Sequence, residues 1–179
     1  MNKKKLLLTI TVLFAIAFTT VFVLSIIYSS EIEVLLGANL QSYGGTILFL
    51  LSLLIEFIPN YLSPHLGILN AYALNLNLDT TIAFILLGSV TGSLLGFELG
   101  KVYGVKLADN FVSIKRINQI EKALNDKGRW GVLMASVSPV PYFPIVLGSV
   151  KLSWKNFIIF GVLPRSIGII LLSWIVFAF

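Results

Sequence analysis

The amino-acid sequence predicts an all-α polytopic membrane protein with three spanning helices, two opposed re-entrant helical hairpins that form an inverted repeat, and a cytoplasmic amphipathic helix. Three observations lead to this fold class: an apolar composition, three long apolar runs, and two proline-broken stretches between them. Of 179 residues, 57% are hydrophobic and 12% are charged, whereas a soluble domain carries about 25% charged residues. So short a chain cannot hide that many apolar side chains from water, and lipid is its expected solvent.

The three apolar runs have the length of spanning helices and cover residues 6–30, 80–100 and 156–179. About 20 residues of helix cross the hydrocarbon core. The first run also resembles a signal peptide, but it stays apolar well beyond a cleavage-like site at residues 15–17. An uncleaved anchor helix within residues 1–30 is therefore favoured. Asp79 is the expected N-cap of the second run.

Residues 43–78 and 130–150 are also apolar, but prolines interrupt both stretches. Proline within a helix removes a hydrogen bond and clashes with the preceding turn, and the arms that remain are too short for a core of about 30 Å. Each stretch is therefore predicted to enter the membrane and return on the same side. The predicted hairpin tips contain Pro59, Asn60 and Pro64 in the first stretch and Pro139, Pro141, Tyr142 and Pro144 in the second.

The basic residues give the predicted topology. With the N-terminal lysines inside and both stretches as hairpins, twelve of the thirteen Lys/Arg are cytoplasmic and only Arg165 is buried, as the positive-inside rule favours. The C-terminus is then external, and the cell membrane is the expected location. Hairpin and span together make up residues 43–104 and again residues 129–179, in opposite orientations, as in transporters whose broken helices meet near the midplane.

Residues 105–128 link the two units and are predicted to form the amphipathic helix, ended by Gly128. A helix packed on the protein and a helix that contacts lipid are equally consistent with this pattern. The preceding span carries a glycine at every fourth position, a spacing that predicts close helix packing: Gly88, Gly92, Gly96, Gly100 and Gly104.

Ionisable residues within lipid are costly and usually functional. Counted along their helices, Glu56 and Arg165 both reach the centre of the membrane. They are predicted to pair or to line one substrate and coupling site, with a purely structural ion pair as the alternative. His65, at the first hairpin tip, fits either a buried hydrogen-bonded group or a proton carrier. Glu98 is a further candidate, expected to pair with Lys101.

Several function classes are excluded or disfavoured. The chain has no cysteine and one histidine, and it carries no nucleophile–base motif, so neither an enzyme nor a metal site nor a cofactor is expected. The net charge of +5 comes from bases that flank apolar runs, which is typical of membrane topology rather than of nucleic-acid binding.

Taken in order, these motifs resemble the DedA family, also called the VTT-domain or SNARE-associated Golgi protein family, over about residues 44–174. The resemblance rests on a set of short elements: Glu56-Phe-Ile-Pro59, Ser63-Pro64-His65, the glycine repeat with Glu98 and Lys101, Lys127-Gly128, Ser138-Pro139-Val140-Pro141-Tyr142 with Gly148, Phe157, and residues 161–165.

The resemblance implies two opposed hairpins and the transport of membrane lipids, either polyprenyl-phosphate carriers or phospholipids, in some members with dependence on the proton gradient. Glu56 matches the family's first hairpin acid, and His65 stands where a second acid is usual. Ser136 and Tyr142 occupy positions of arginines in the bacterial form, which leaves Arg165 as the expected cation.

The predicted function is therefore a lipid or polyprenyl-phosphate translocase of the flippase or scramblase type, with membrane lipids and a second copy of the chain as its expected partners. Two alternatives remain open on the same scaffold. One is an ion or small-solute transporter, and the other is a membrane assembly subunit that transports nothing.

The topology can be tested with single cysteines and a membrane-impermeant maleimide, since the native chain contains no cysteine. We expect three positions to react from outside and three only from the cytoplasm: Glu31, Gln41 and Asn77 outside, and Lys115, Asn125 and Ser153 inside. External labelling at position 125 would contradict the two-hairpin topology.

Overall fold

The computed structural model describes residues 27–57, 64–109, 113–128, 130–133 and 143–178, together with scattered positions between 9 and 24. Every element in these ranges is helical. The helices are α1 (Ser29–Phe57), α2 (His65–Ala73), α3 (Leu78–Ala108), α4 (Ile114–Lys127), α5 (Phe143–Ser149) and α6 (Trp154–Ala178).

Two of the described helices, α3 and α6, are long and apolar enough to cross a membrane. The all-helical fold with two candidate spans is thus confirmed, while the third span and the re-entrant geometry stay predictions. About half of the N-terminal run lies outside the described residues. So do Ser138 and five of the residues predicted at the hairpin tips: Pro59, Asn60, Pro139, Pro141 and Tyr142. The two described tip prolines, Pro64 and Pro144, are fully buried.

Helix α1 is longer than the predicted first arm of the hairpin. It runs for 29 residues, or about 44 Å, so residues 31–42 continue the helix upstream of its apolar part, Tyr43–Glu56. Helix α2, by contrast, has nine residues and is too short to cross a membrane. It packs against α1, α3 and α6, which places a short arm among the longer helices.

The N-cap of α3 is Asn77, so the prediction of Asp79 was wrong. The Asn77 Oδ1 accepts hydrogen bonds from the backbone N–H groups of Asp79, at 2.8 Å, and Thr80, at 3.4 Å. Asn77 has the extended backbone of a capping residue. Asp79 lies in the first turn, where its negative charge interacts favourably with the positive end of the helix dipole.

The five glycines at every fourth position of α3 are called the glycine stripe. Four of them bring other helices against the backbone of α3. A Cβ on Gly88 would clash with the Phe49 carbonyl oxygen, and one on Gly92 would lie 2.8 Å from Glu56 Cβ, both on α1. A Cβ on Gly96 would lie 3.2 Å from Pro144 Cβ, and one on Gly100 would strike the backbone of α5. One stripe therefore holds both α1 and α5.

Gly104 does not belong to this contact, so its predicted packing role was wrong. Nothing lies within 4 Å of a Cβ built there, and its φ of +61° interrupts the helix. Glycine adopts this backbone conformation without steric cost, and Gly104 forms a kink within α3. Residues 105–108, predicted to begin the amphipathic helix, form the short helical segment of α3 beyond this kink, and α4 itself begins at Ile114.

The amphipathic helix α4 packs on the protein. Ile117 is buried, and Ile120 and Leu124 pack against clusters that include Val132 and Leu147. Packing on the protein, one of the two interpretations that the sequence left open, is therefore observed, and contact of α4 with lipid stays a prediction. Gly128 ends α4 as predicted, with a φ of +54° and its N–H donating to the Leu124 carbonyl.

The packing role of the stripe can be tested by adding a methyl group at Gly100 and, as a control, at a glycine outside the stripe. We expect Gly100→Ala to destabilise the protein by roughly 1–3 kcal/mol, because the new Cβ meets the backbone of α5. Gly168→Ala is the matched control, since its Cβ would lie 3.9 Å from the nearest atom, His65 Nε2, and helix propensity favours alanine by about 1 kcal/mol. Thermal unfolding in detergent measures both, and equal loss in the two variants would contradict the packing role.

Candidate functional site

Three helices meet at the carboxylate of Glu56. The residue lies next to the last residue of α1, and its side chain is 2% exposed. Its Oε1 accepts a hydrogen bond from the Ser89 hydroxyl of α3 at 2.8 Å and pairs with Arg165 Nη2 of α6 at 2.9 Å. Ser93, one turn further along α3, is a second side-chain partner of the same carboxyl. The predicted proximity of Glu56 and Arg165 is thereby confirmed.

The approach of α1 to the glycine stripe creates this contact. Because Gly88 and Gly92 have no side chains, α1 lies against the α3 backbone, and the residue after each glycine is a serine that faces the carboxyl. Ser89 and Ser93 were not predicted as site residues from the sequence. The pattern that indicates them is a serine directly after a stripe glycine in two successive turns of α3.

A local distortion of α6 positions Arg165. Residues Ile158–Val162 form a π-helical turn, in which the Leu163 N–H donates to the Ile158 carbonyl. Pro164 follows directly and has no N–H to donate, so regular α-helical bonding cannot run through this point. The Ser166 hydroxyl donates to the Val162 carbonyl at 3.0 Å. The wider turn accommodates the proline, and such turns often mark functional sites.

The pair is buried unequally. The Arg165 side chain is 21% exposed, whereas that of Glu56 is sealed. A guanidinium group carries five N–H donors, and the contact with Glu56 engages one of its nitrogens. Arg165 therefore combines a fixed acidic partner with an edge that a second acceptor can reach.

His65 belongs to the same cluster. It opens α2 directly after the buried Pro64, is half-buried, and lies close enough to Arg165 for their charges to interact. Its Nε2 also approaches Gly168, one turn beyond Arg165 on α6. All three residues predicted for substrate binding or coupling thus converge, although their roles stay predictions.

Glu98 lies away from this cluster, and its predicted pairing with Lys101 was wrong. Glu98 is exposed, and no salt bridge joins the two side chains within 4.0 Å. Lys101 Nζ instead lies 5.9 Å from the ring centre of Phe97 and 5.8 Å from that of Trp154. The two rings attract the ammonium group and hold it among aromatic residues.

The family model of the VTT domain matches residues 63–177, a range that includes α2 to α6 with His65, the glycine stripe and Arg165. Among curated proteins and among solved structures, nothing matches the chain significantly. The match covers more than half of the sequence and confirms the resemblance found in its motifs. The chain belongs to the VTT-domain family of membrane proteins.

Proposed function

We propose that this protein is a membrane transporter that translocates a lipid phosphate, such as a polyprenyl phosphate, and that Glu56 exchanges a proton during the cycle. The observation that carries the proposal is the buried Glu56–Arg165 ion pair, which lies beside the end of α1 and just after the π turn of α6. Membership of the VTT-domain family supports a membrane role but does not by itself give a substrate.

The energetics of the pair favour a function beyond structure. Removing two charges from water costs several kcal/mol per ion, and apolar residues of similar volume often stabilise a fold equally well. Here the chain adds two serines around the carboxyl and a π turn beside the arginine. Ionisable groups near broken helices are a recurring arrangement in transport sites.

The chemistry of the pair fits a phosphate. A guanidinium group can bind phosphate through two parallel hydrogen bonds, but in the observed state Glu56 already neutralises Arg165. A proton on Glu56 would remove the charge that holds Arg165, and the phosphate would then take its place. Loss of that proton after release of the phosphate would restore the pair. His65 would add a second proton-accepting group beside the bound anion.

The surroundings of Arg165 favour a lipid over a water-soluble anion. Arg165 is carried by the apolar helix α6, which is long enough to cross a membrane, and the outward-facing Leu163 and Ile167 on the other face of this helix are 48% and 51% exposed. A lipid phosphate could place its headgroup on the open edge of Arg165 while its hydrocarbon chain stays in the surrounding bilayer. A water-soluble anion would need a separate aqueous path to the same point.

Purified protein in liposomes tests the proposal. We expect transfer of a radiolabelled polyprenyl phosphate across the bilayer at least about tenfold above protein-free liposomes, and a faster rate when a proton gradient is imposed. Transport of inorganic phosphate without the lipid would identify a small-solute transporter instead. Transport of neither substrate would contradict the proposal and favour an assembly role.

Substitution of the pair separates structure from transport. Glu56→Gln and Arg165→Gln should each lower stability by about 3–5 kcal/mol, because each leaves one buried charge without its partner. The double variant should regain stability in detergent and still transport nothing, since both the phosphate ligand and the proton carrier are gone. Recovery of transport in the double variant would show that the pair is purely structural.

Two exposed charges serve as matched controls. Glu98→Gln removes an acid from α3, and Lys155→Gln removes a base from the start of α6, about 15 Å along the helix from Arg165; both residues are exposed. We expect each to leave stability and lipid transfer within about twofold of the unmodified protein, in line with the small effect of exposed charges. A loss of lipid transfer as large as that in Glu56→Gln would mean that transport depends on the net charge of the protein and not on the buried pair.

A further inference from the structure

Two buried hydroxyl groups in the core lack a hydrogen-bond partner among the described residues, which lowers the stability of the fold. The Thr81 and Ser173 side chains are both 0% exposed, and neither Thr81 Oγ1 nor Ser173 Oγ finds a hydrogen-bond partner in the part of the chain that the structure describes. Buried hydroxyls are almost always paired, and an orphaned one calls for a reason. Buried water is the common partner of such groups.

On α3, the orphaned hydroxyl shares a face with the ion-pair site. Thr81, Ile85 and Ser89 follow one another at four-residue steps, so they lie one above the other along the helix. Ser89 donates to Glu56, and Thr81 is therefore about 12 Å away along the helix axis, two turns closer to the start of α3.

Helix α6 carries the same three kinds of residue at four-residue steps, but in the reverse order along the chain. Arg165, Ile169 and Ser173 are again spaced by four residues, and Ser173 lies about 12 Å beyond the ion pair, toward the end of the helix. The end of α6 lies beside the end of α2, where the Phe177 and Tyr72 rings meet at 5.5 Å, and α3 begins five residues after α2. The start of α3 and the end of α6 thus share one end of the molecule.

The two patterns together define three layers. Ser89 and Arg165 meet at Glu56, and Ile85 and Ile169, both 0% exposed, belong to one hydrophobic cluster. The next turn on each helix carries an orphaned hydroxyl. A polar layer is therefore separated from the ion pair by one apolar layer.

We propose that Thr81 and Ser173 hold buried water that supplies protons to Glu56, and that Ile85 and Ile169 form the apolar gate between this water and the ion pair. The part concerning proton supply rests on the proposed function, whereas the hydration of the two hydroxyls does not. In the predicted topology the water layer lies on the external side. A proton would pass from this water to the Glu56 carboxylate and be replaced from the external solution, and a dry isoleucine layer would block passage until it is wetted.

Hydration is tested by stability. Thr81→Val keeps the shape of the side chain and has a similar helix propensity, so its effect reports on the hydroxyl. If the hydroxyl binds water, the variant loses that hydrogen bond, and we expect the detergent Tm to fall by about 2–4 °C. If the site is dry, removal of an orphaned polar group raises the Tm, and that result would overturn the proposal.

A second comparison covers the case in which Thr81→Val does not fold. Thr81→Ser retains a hydroxyl and Thr81→Ala lacks one, while both delete the methyl group. Bound water requires the serine variant to be the more stable of the two, against the helix propensity that favours alanine. The reverse order would overturn the hydration site.

The gate is tested by proton flux in liposomes that contain a pH-sensitive dye. Ile85→Ser and Ile169→Ser should wet the apolar layer and raise proton entry several-fold, and adding Thr81→Val should reduce that leak. Leu147→Ser is the matched control, because Leu147 is equally buried but lies on α5 in a different hydrophobic cluster. An equal leak in the control, or none in the gate variants, would overturn the gate.

The two measurements separate this inference from the proposed function. A Tm loss in Thr81→Val together with no lipid transfer by the unmodified protein would retain the hydration site and reject the transporter. Lipid transfer with a raised Tm in Thr81→Val would retain the transporter and reject the hydration site.

Discussion

The contact of α1 and α5 with the glycine stripe of α3 is the constraint on which the rest of the structure depends. Gly88 and Gly92 let the backbone of α1 approach until Glu56 comes within reach of the serines on α3. Gly96 and Gly100 do the same for α5, whose Gly148 in turn lies against the backbone of Phe97. Since lipid gives helices no hydrophobic reason to associate, such contacts must rely on close packing and buried polar bonds.

The site follows from this packing and not from any single helix. Glu56 is contributed by α1, its hydroxyl partners by α3, its counter-charge by α6 and the nearby imidazole by α2. These groups meet only if all four helices hold their positions. The aromatic cluster of Phe97, Trp154 and Phe157, with Phe97 and Phe157 stacked at 4.0 Å, fixes the start of α6 on α3 and so sets the depth at which Arg165 enters the protein.

Much of this arrangement could be predicted from the sequence because it depends on periodicity and length. Runs of apolar residues give the candidate spans, four-residue spacing gives the stripe, and the constant rise of a helix gives the shared depth of Glu56 and Arg165. The wrong predictions concern interactions that depend on the positions of a few atoms. Asn77 and Asp79 are both good capping residues, and only the backbone conformation shows which one caps. Lys101 had a carboxylate three residues away, but two aromatic rings from distant positions bind it instead. Gly104 continues the spacing of the stripe, yet its φ angle removes it from the contact.

The π turn of α6 has a consequence for the phase of the helix that follows. A π turn inserts one extra residue, and one residue corresponds to about 100° of rotation about an α-helix axis. Deleting any one residue within Ile158–Val162 would remove the extra residue and turn every later side chain by that angle relative to the first turn of the helix. Arg165, Ile169 and Ser173 would leave the interior together, and Leu163 and Ile167 would lose their outward orientation. The direction in which the last 16 residues of the helix face is thus set by a single inserted residue, so the length of this turn constrains the sequence more tightly than the identity of its side chains does.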